Sequence, residues 1–291
     1  MPRRNQSGAC YHLGKARALI RFFLTYIFLL LPVAVAAQER PPSHCLAFAD
    51  RVPGVTWLQQ AAFLDPVEDG TVRLRYLSHA SFLLQTPGGL SAVTDFTGFV
   101  GNVDFMPDVV TMNHAHSTHY TAYPDPAIPH VLPGWGPFGE GIDHYLDLGE
   151  MLIRNISTDI RSGGGVEPKG NSIFVFEAAG LCIGHLGHLH HEPSAEQYAA
   201  IGRLDVVMAA VDGGVTLDLA TMLKVMDRFR ARIVIPMHWF ADGSLGRFLN
   251  GMEGDFDIVD AGGSELSLSL DHLPTRPTVM VLRPSFLRKD E

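Results

Sequence analysis

Residues 109–119 read Val-Val-Thr-Met-Asn-His-Ala-His-Ser-Thr-His. The first four are mostly apolar and β-prone, which predicts a short buried strand, Val109–Met112. Asn113 and His114 then mark its C-terminal end, where a loop begins. That loop carries His114, His116 and His119, a spacing that lets one strand end aim several ring nitrogens at one centre, as a metal site requires. Taken alone, such a run also fits an ordinary solvated loop.

Working outward, the same arrangement recurs twice. The apolar run Leu181–Gly184 leads into His185-Leu-Gly-His188-Leu-His190-His191, and Arg232–Pro236 leads into Met237-His238. Seven of the 14 histidines fall in just two windows, 114–119 and 185–191. Packing does not explain three strand ends that carry histidine.

The surrounding pattern predicts stacked α/β layers. Upstream, Val72–Leu77, Ser81–Gln85 and Leu90–Thr94 read as a meander of hairpins ending at Asp95. Residues 120–170 are broken by Pro and Gly around short strands such as Met151–Ile156, and the stretch 123–141, with Trp135 and Phe138, is expected to wall a cleft. Ser172–Glu177 pairs with Leu181–Gly184 across a turn. Ser194 and Gln197 form a capping box for a helix through about Ile201, and the strand Leu204–Ala209 follows. Leu219, Met222, Leu223, Met226 and Phe229 recur at helical spacing and predict an amphipathic helix lying on a sheet. Beyond His238 the chain reads as loops with late strands at Leu266–Leu270 and Thr278–Leu282.

The N-terminus places Arg3, Arg4, Lys15, Arg17 and Arg21 before an apolar run, Phe22–Ala37, that ends in small residues. This is the pattern of a signal peptide, residues 1–37, cut near Ala37 and too short for a membrane span. The expected location is periplasmic or secreted. Residues 38–70 read as an irregular extension and 71–291 as the domain. Export leaves Cys45 and Cys182 in an oxidising space, where a disulfide is permitted but not required; Cys182 on its apolar strand reads as a small buried hydrophobe. A net charge of −9 argues against a polyanion partner such as nucleic acid and points to a small-molecule substrate. The oligomeric state is not legible.

Over residues 71–240 the order of these features resembles the metallo-β-lactamase superfamily, especially its lactonase-like and phosphodiesterase-like hydrolases. The hairpin at Tyr76-Leu-Ser-His79, the strand ending at Asp95, the histidine loop at 114–119 and the Ile235–His238 strand end carry the likeness. The resemblance implies a four-layer αββα sandwich and a metal site. It maps His114, His116, His119, His188 and His238 onto ligand positions, with His79, Asp95 and Asp159 as orienting partners behind them. Two departures stand out: Thr118 and His188 occupy positions where the family has aspartate. His130 and His144 fall where a further histidine ligand belongs, without its context.

An imidazole offers one lone pair where a carboxylate can bridge two cations, so this set suits one metal ion. Zinc is favoured; copper, nickel and iron remain open. The implied function is a metal-dependent hydrolase that uses metal-activated water on an ester-like bond, such as a lactone, a phosphodiester or an amide. Proton handling then falls to His185 or His191. The alternative is a non-catalytic member that binds metal or ligand in a remodelled cleft. A redox member is disfavoured, because the missing carboxylates are the groups that hold a diiron pair.

Overall fold

The computed structural model describes residues 42–46, 63–114, 116–240 and 242–289. The leader expected at 1–37 and most of the extension lie outside the described residues. Two sheets dominate. The first has six strands in the order β13-β1-β2-β3-β4-β5: β1 (Thr71–Ser78), β2 (Ser81–Gln85), β3 (Ser91–Val93), β4 (Val109–Met112), β5 (His130–Pro133) and β13 (Glu265–Ser269). The second has eight, in the order β12-β14-β11-β10-β9-β8-β7-β6. Its members are β6 (Tyr145–Asp147), β7 (Met151–Ser162), β8 (Gly165–Ala178), β9 (Leu181–His185), β10 (Val206–Ala210), β11 (Ile233–Met237), β12 (Asp257–Asp260) and β14 (Thr278–Val281).

The sheets face each other across a core in which Leu74, Tyr76, Phe82 and Leu84 of the first meet Ile153, Phe174, Phe176, Ile183, Met208 and Ile235 of the second. Tyr76 stacks on Phe82 with ring centroids 4.4 Å apart. Each fully buried side chain of this size contributes about 1.5–3 kcal/mol of burial free energy. The central strands of the second sheet, β9, β10, β11 and β14, are buried throughout, because helices α1 (Ala195–Ile201), α2 (Leu219–Phe229) and α3 (Asp242–Met252) cover its outer side. Helix α1 begins with the capping box of Ser194 and Gln197. Helix α2 begins at Asp218, whose side chain accepts from the Thr221 amide. The outer face of the first sheet is covered by coil. Phe63, Phe96, Val100, Phe105, Tyr120 and Trp135 form that layer.

The connection from β3 to β4 is parallel, as are those linking β9, β10 and β11. Parallel strands bring their C-terminal ends to one edge, so the residues after β4, β9, β10 and β11 converge there. His185 ties the two sheets together at this edge. Its Nδ1 accepts from Asn113 Nδ2 at 3.0 Å and from the Gly187 amide at 3.2 Å, while its Nε2–H donates to the Ala80 carbonyl at 2.7 Å.

At the opposite side Cys45 and Cys182 form a disulfide, so Cys182 is covalently paired rather than a free hydrophobe. The bond pins the strap 42–46 onto β9. Arg203 N–H donates to the Cys45 carbonyl at 2.9 Å, and Glu177 accepts from Ser43 Oγ at 2.5 Å and from Arg154 Nε at 2.9 Å. Among the described residues no helix is long and apolar enough to cross a membrane.

Candidate metal centre

Two histidines anchor the site. His119 is fully buried; its Nδ1–H donates to Asp95 Oδ2 at 2.6 Å. Asp95 sits just past β3, and its other oxygen accepts the Asn113 amide at 2.9 Å, which locks the start of the histidine loop to the end of the neighbouring strand. His238 follows β11 and donates from Nδ1 to Asp212 Oδ2 at 2.9 Å. The Nε2 atoms of the two rings then stand 3.2 Å apart.

This geometry tests the fit of a metal. With each Nδ1 proton given to a carboxylate, both Nε2 atoms of the neutral rings are bare lone pairs, and nothing but a shared cation or proton makes their approach favourable. Tetrahedral zinc, with Zn–N bonds of ~2.0–2.1 Å, separates its nitrogen ligands by about 3.3 Å. The third nitrogen comes from His79 at the β1–β2 turn. His79, His119 and His238 each offer a ring nitrogen within 4.8 Å of the others, and His79 Nε2 is buried without a hydrogen-bond partner. His79, expected behind the ligands, stands beside His119 and His238 in a trio whose ring nitrogens could share an ion. The reason lies in the turn: its carbonyl accepts from the His238 amide at 2.9 Å and from Tyr76 Oη at 2.5 Å, which brings the His79 and His238 rings to 4.0 Å.

His79, Asp95 and His238 all have positive φ, at 43°, 41° and 60°. Non-glycine residues in the left-handed region cost free energy that the surrounding contacts must offset, and such strain gathers at functional sites.

The remaining histidines divide. The His188 ring lies 4.7 Å from that of His119 and 5.2 Å from that of His238, and its Nδ1 is buried without a partner. It flanks the trio. His114 donates from Nδ1 to the Gly170 carbonyl at 2.6 Å, and exposed His116 has Nδ1 3.0 Å from Thr118 Oγ1; their rings lie 6.1 and 6.0 Å from His188. These two border the cluster and do not join the tight trio. His190 Nδ1 accepts the Arg161 amide at 2.7 Å, and the Nε2 atoms of His190 and His191 are buried and unpartnered.

Three expectations are corrected. His185 cannot handle protons for catalysis: it is fully buried and both ring nitrogens are committed to the link between the sheets. Asp159 does not orient a ligand, because it is exposed on the β7–β8 hairpin and accepts the Lys169 amide at 2.9 Å. Trp135 packs edge-on against Tyr120 in the coil layer, at 5.6 Å, while Phe138 is exposed. His144 donates to the Pro133 carbonyl at 2.7 Å, and His130 pairs with Val109 at the strand end away from the cluster; neither joins the trio.

The residue that sequence reasoning missed is Asp212. Its Oδ1 accepts from the amides of Gly214, Val215 and Thr216 at 2.9, 2.6 and 2.9 Å, and its Oδ2 from Thr216 Oγ1 at 2.6 Å besides His238. Burial pushes this carboxyl up, but the donors outweigh burial and hold it well below the usual carboxylate range. Asp212-Gly213-Gly214 after an apolar strand was the available signal, and it reads equally well as a plain turn. Asp95 behaves differently: burial raises it to about 6 against the pull of His185 and the Asn113 amide. Burial first, then the neighbouring imidazoles, lowers His79 to about 3 and His119 and His188 to about 2. All three rings are therefore neutral and ready to give a lone pair at neutral pH.

Comparison with known proteins gives the family. The sequence profile of a beta-lactamase superfamily domain matches residues 73–238, from β1 to the last anchoring histidine. A UPF0173 metal-dependent hydrolase of Nanoarchaeum equitans is 22% identical over 185 residues, which are 58% of this chain and 84% of that relative. A solved Thermotoga maritima protein of the metallo-beta-lactamase superfamily is 25% identical with a TM-score of 0.52, covering 72% of this chain and 98% of its own.

Proposed function

Because this chain belongs to the beta-lactamase superfamily, whose domain spans residues 73–238, we propose that it is an exported hydrolase of small molecules that works with one zinc ion. The observation that carries the reading is the pair of bare Nε2 atoms of His119 and His238, 3.2 Å apart, each set by a buried carboxylate on its far side. The naming of the Nanoarchaeum relative as a metal-dependent hydrolase supports the class, and the description of the Thermotoga protein as a candidate zinc-dependent hydrolase supports the metal. An ester-like bond, in a lactone, a phosphodiester or an amide, is the target. His79, His119 and His238, with His188 beside them, would hold the zinc, which would supply Lewis acidity and activate water at neutral pH.

The chain's own residues do the rest. Asp95 and Asp212 fix the tautomers of His119 and His238 and aim their lone pairs. His190 accepts the Arg161 amide on Nδ1, so its neutral ring carries its proton on Nε2 and offers that N–H as a hydrogen-bond donor rather than as a base. His191 stands beside it in sequence. Export is supported by the leader pattern at 1–37 and by the Cys45–Cys182 disulfide, which persists in oxidising compartments.

Metal analysis of the protein recovered from periplasm or medium, with a screen of ester, lactone and phosphodiester substrates, is the test. One zinc per chain, lost in His119→Ala and His238→Ala together with turnover, is expected, as is an N-terminus at Gln38. Full metal content in both variants sinks the site. Thr118 and His188 at aspartate positions favour a second reading, a metal- or ligand-binding protein without turnover. Stoichiometric zinc with no hydrolysis across the screen would select it, and His188→Asp, which restores a bridging carboxylate, should then raise the metal count.

A further inference from the structure

A groove of about 400 Å³ opens beside His79, between the β1–β2 turn and the C-terminal segment. Its walls are Leu77, Ser78, His79, Ser285, Phe286 and Arg288, with Pro284 at its side. The volume lies in the range of small-molecule sites. The lining thus joins a metal-ligand candidate, His79, whose Nε2 is buried without a partner, with the cation of Arg288.

The C-terminal wall is held in place. Ser285 N–H donates to the Tyr76 carbonyl at 3.0 Å and Leu287 N–H to the Val100 carbonyl at 2.9 Å, while the Leu287 side chain is buried in the coil-covered layer. A side chain at Gly101, which has φ 142°, would overlap the Leu287 backbone, so glycine is what lets this segment close on the fold. With Leu287 turned inward, its neighbours Phe286 and Arg288 line the groove. Phe286 is braced edge-on by Phe99 at 5.1 Å, and exposed Phe240 stands 5.5 Å from the His79 ring. Arg288 makes no ion pair among the described residues. Arg288 is exposed on the groove wall, so in a chain of net charge −9 its guanidinium is available to an oxyanion entering the groove.

We propose that this groove binds an acidic arm of the substrate, so that the substrate class is esters or amides carrying an oxyanion, carboxylate or phosphate, beyond a short apolar segment. The scissile bond lies over His79, His119 and His238, the apolar segment against Leu77 and Phe286, and the oxyanion on Arg288. This inference rests on the hydrolase reading for the reacting end, but its own evidence is the groove and its cation.

The test reads binding, independent of turnover. Phenylacetate, phenyl phosphate and the neutral isostere phenylacetamide are titrated into the full protein, zinc-loaded and zinc-stripped, by ligand-observed NMR or calorimetry. Arg288→Gln is expected to weaken both acids about tenfold or more and leave the amide unchanged, in both metal states, with Arg288→Lys restoring most of the loss. Whichever acid binds the native protein more tightly names the oxyanion. The inference is overturned if neither acid binds the native protein, if Arg288→Gln weakens acid and amide alike, or if acid binding disappears with zinc and ignores Arg288, which would place the carboxylate on the metal. Binding that depends on Arg288 in a protein with no hydrolytic turnover supports the groove and removes only the hydrolase reading. Turnover with binding indifferent to Arg288 does the reverse.

Discussion

The Nε2 atoms of His119 and His238 face each other at 3.2 Å because two buried carboxylates, from strand ends in opposite sheets, hold the Nδ1 protons on the far sides of the rings. The first prediction concerns one of those carboxylates. In Asp95→Asn, the amide oxygen must accept the Asn113 amide, so its NH₂ faces His119 Nδ1 and drives the ring's proton to Nε2. Zinc affinity should fall roughly tenfold to a hundredfold. Stability should not fall with it, since burial already pushes Asp95 up to about 6 and a neutral amide is cheaper to bury. Chelator competition and thermal melts of the stripped protein check both halves; a large loss of Tm would show that the carboxylate's role is structural.

Acid should weaken the metal-stripped protein from an unusually high pH. Burial first, then neighbouring charge, lowers His79 to about 3, His119 and His188 to about 2 and His190 to about 4, whereas an unfolded chain returns each to about 6.5. Below that value the unfolded state takes up protons that the folded state refuses, so stability is present above it and is lost as pH falls. Asp95, raised from 3.8 to about 6, acts in the opposite sense between those values, but it is one group against four. Urea midpoints should be level above about pH 7 and decline steadily toward about pH 5. A midpoint that rose on acidification would contradict a cluster of desolvated neutral rings.

Gly187 cannot be replaced cheaply. Its φ is 59°, and a Cβ there would overlap the Asn113 side chain, which itself holds His185. Gly187→Ala should destabilise by about 1–3 kcal/mol and lower metal affinity, because Asn113 also fixes Asp95. Chemical denaturation with and without zinc measures this. An unchanged midpoint would mean that the turn relaxes at no cost.

Reduction of Cys45–Cys182 opens a loop closed across 137 residues, so its loss should cost about 2–4 kcal/mol. The loss should appear in melts of the reduced protein or of Cys45→Ser with Cys182→Ala. Metal content should stay unchanged, since the disulfide lies away from the histidine edge. Loss of zinc on reduction would refute that separation.

Much of the scaffold was legible because its signals are local. Ser194 with Gln197 marked one helix, and the apolar stripe from Leu219 to Phe229 matched another to the residue. Helix α3 escaped because Gly243, Gly246 and Gly251 lower its helical propensity, and packing of Leu245, Phe248 and Met252 supplies what propensity lacks. The arms of β7 and β8 beyond Ile156 and before Ser172 escaped because they are largely polar and meet at Gly163–Gly165, where backbone pairing alone extends the ladder. In the site, the histidines announced themselves, but their roles depend on what each second nitrogen touches. Burial between the sheets makes His185 a strut and a hydrogen-bonded turn makes His79 a ligand candidate; neither fact is local in sequence.

The strut has a mechanical meaning. With Asn113 and Ala80 of one sheet both bonded to a ring carried by the other, the two sheets cannot slide past each other without stranding buried polar atoms, which is costly. The sandwich therefore behaves as one stiff block at its histidine edge. Whatever breathing admits a substrate is left to parts outside that block, such as the tip of the β7–β8 hairpin, which Arg161 tethers to the carbonyls of Gly214, Val215 and Thr216.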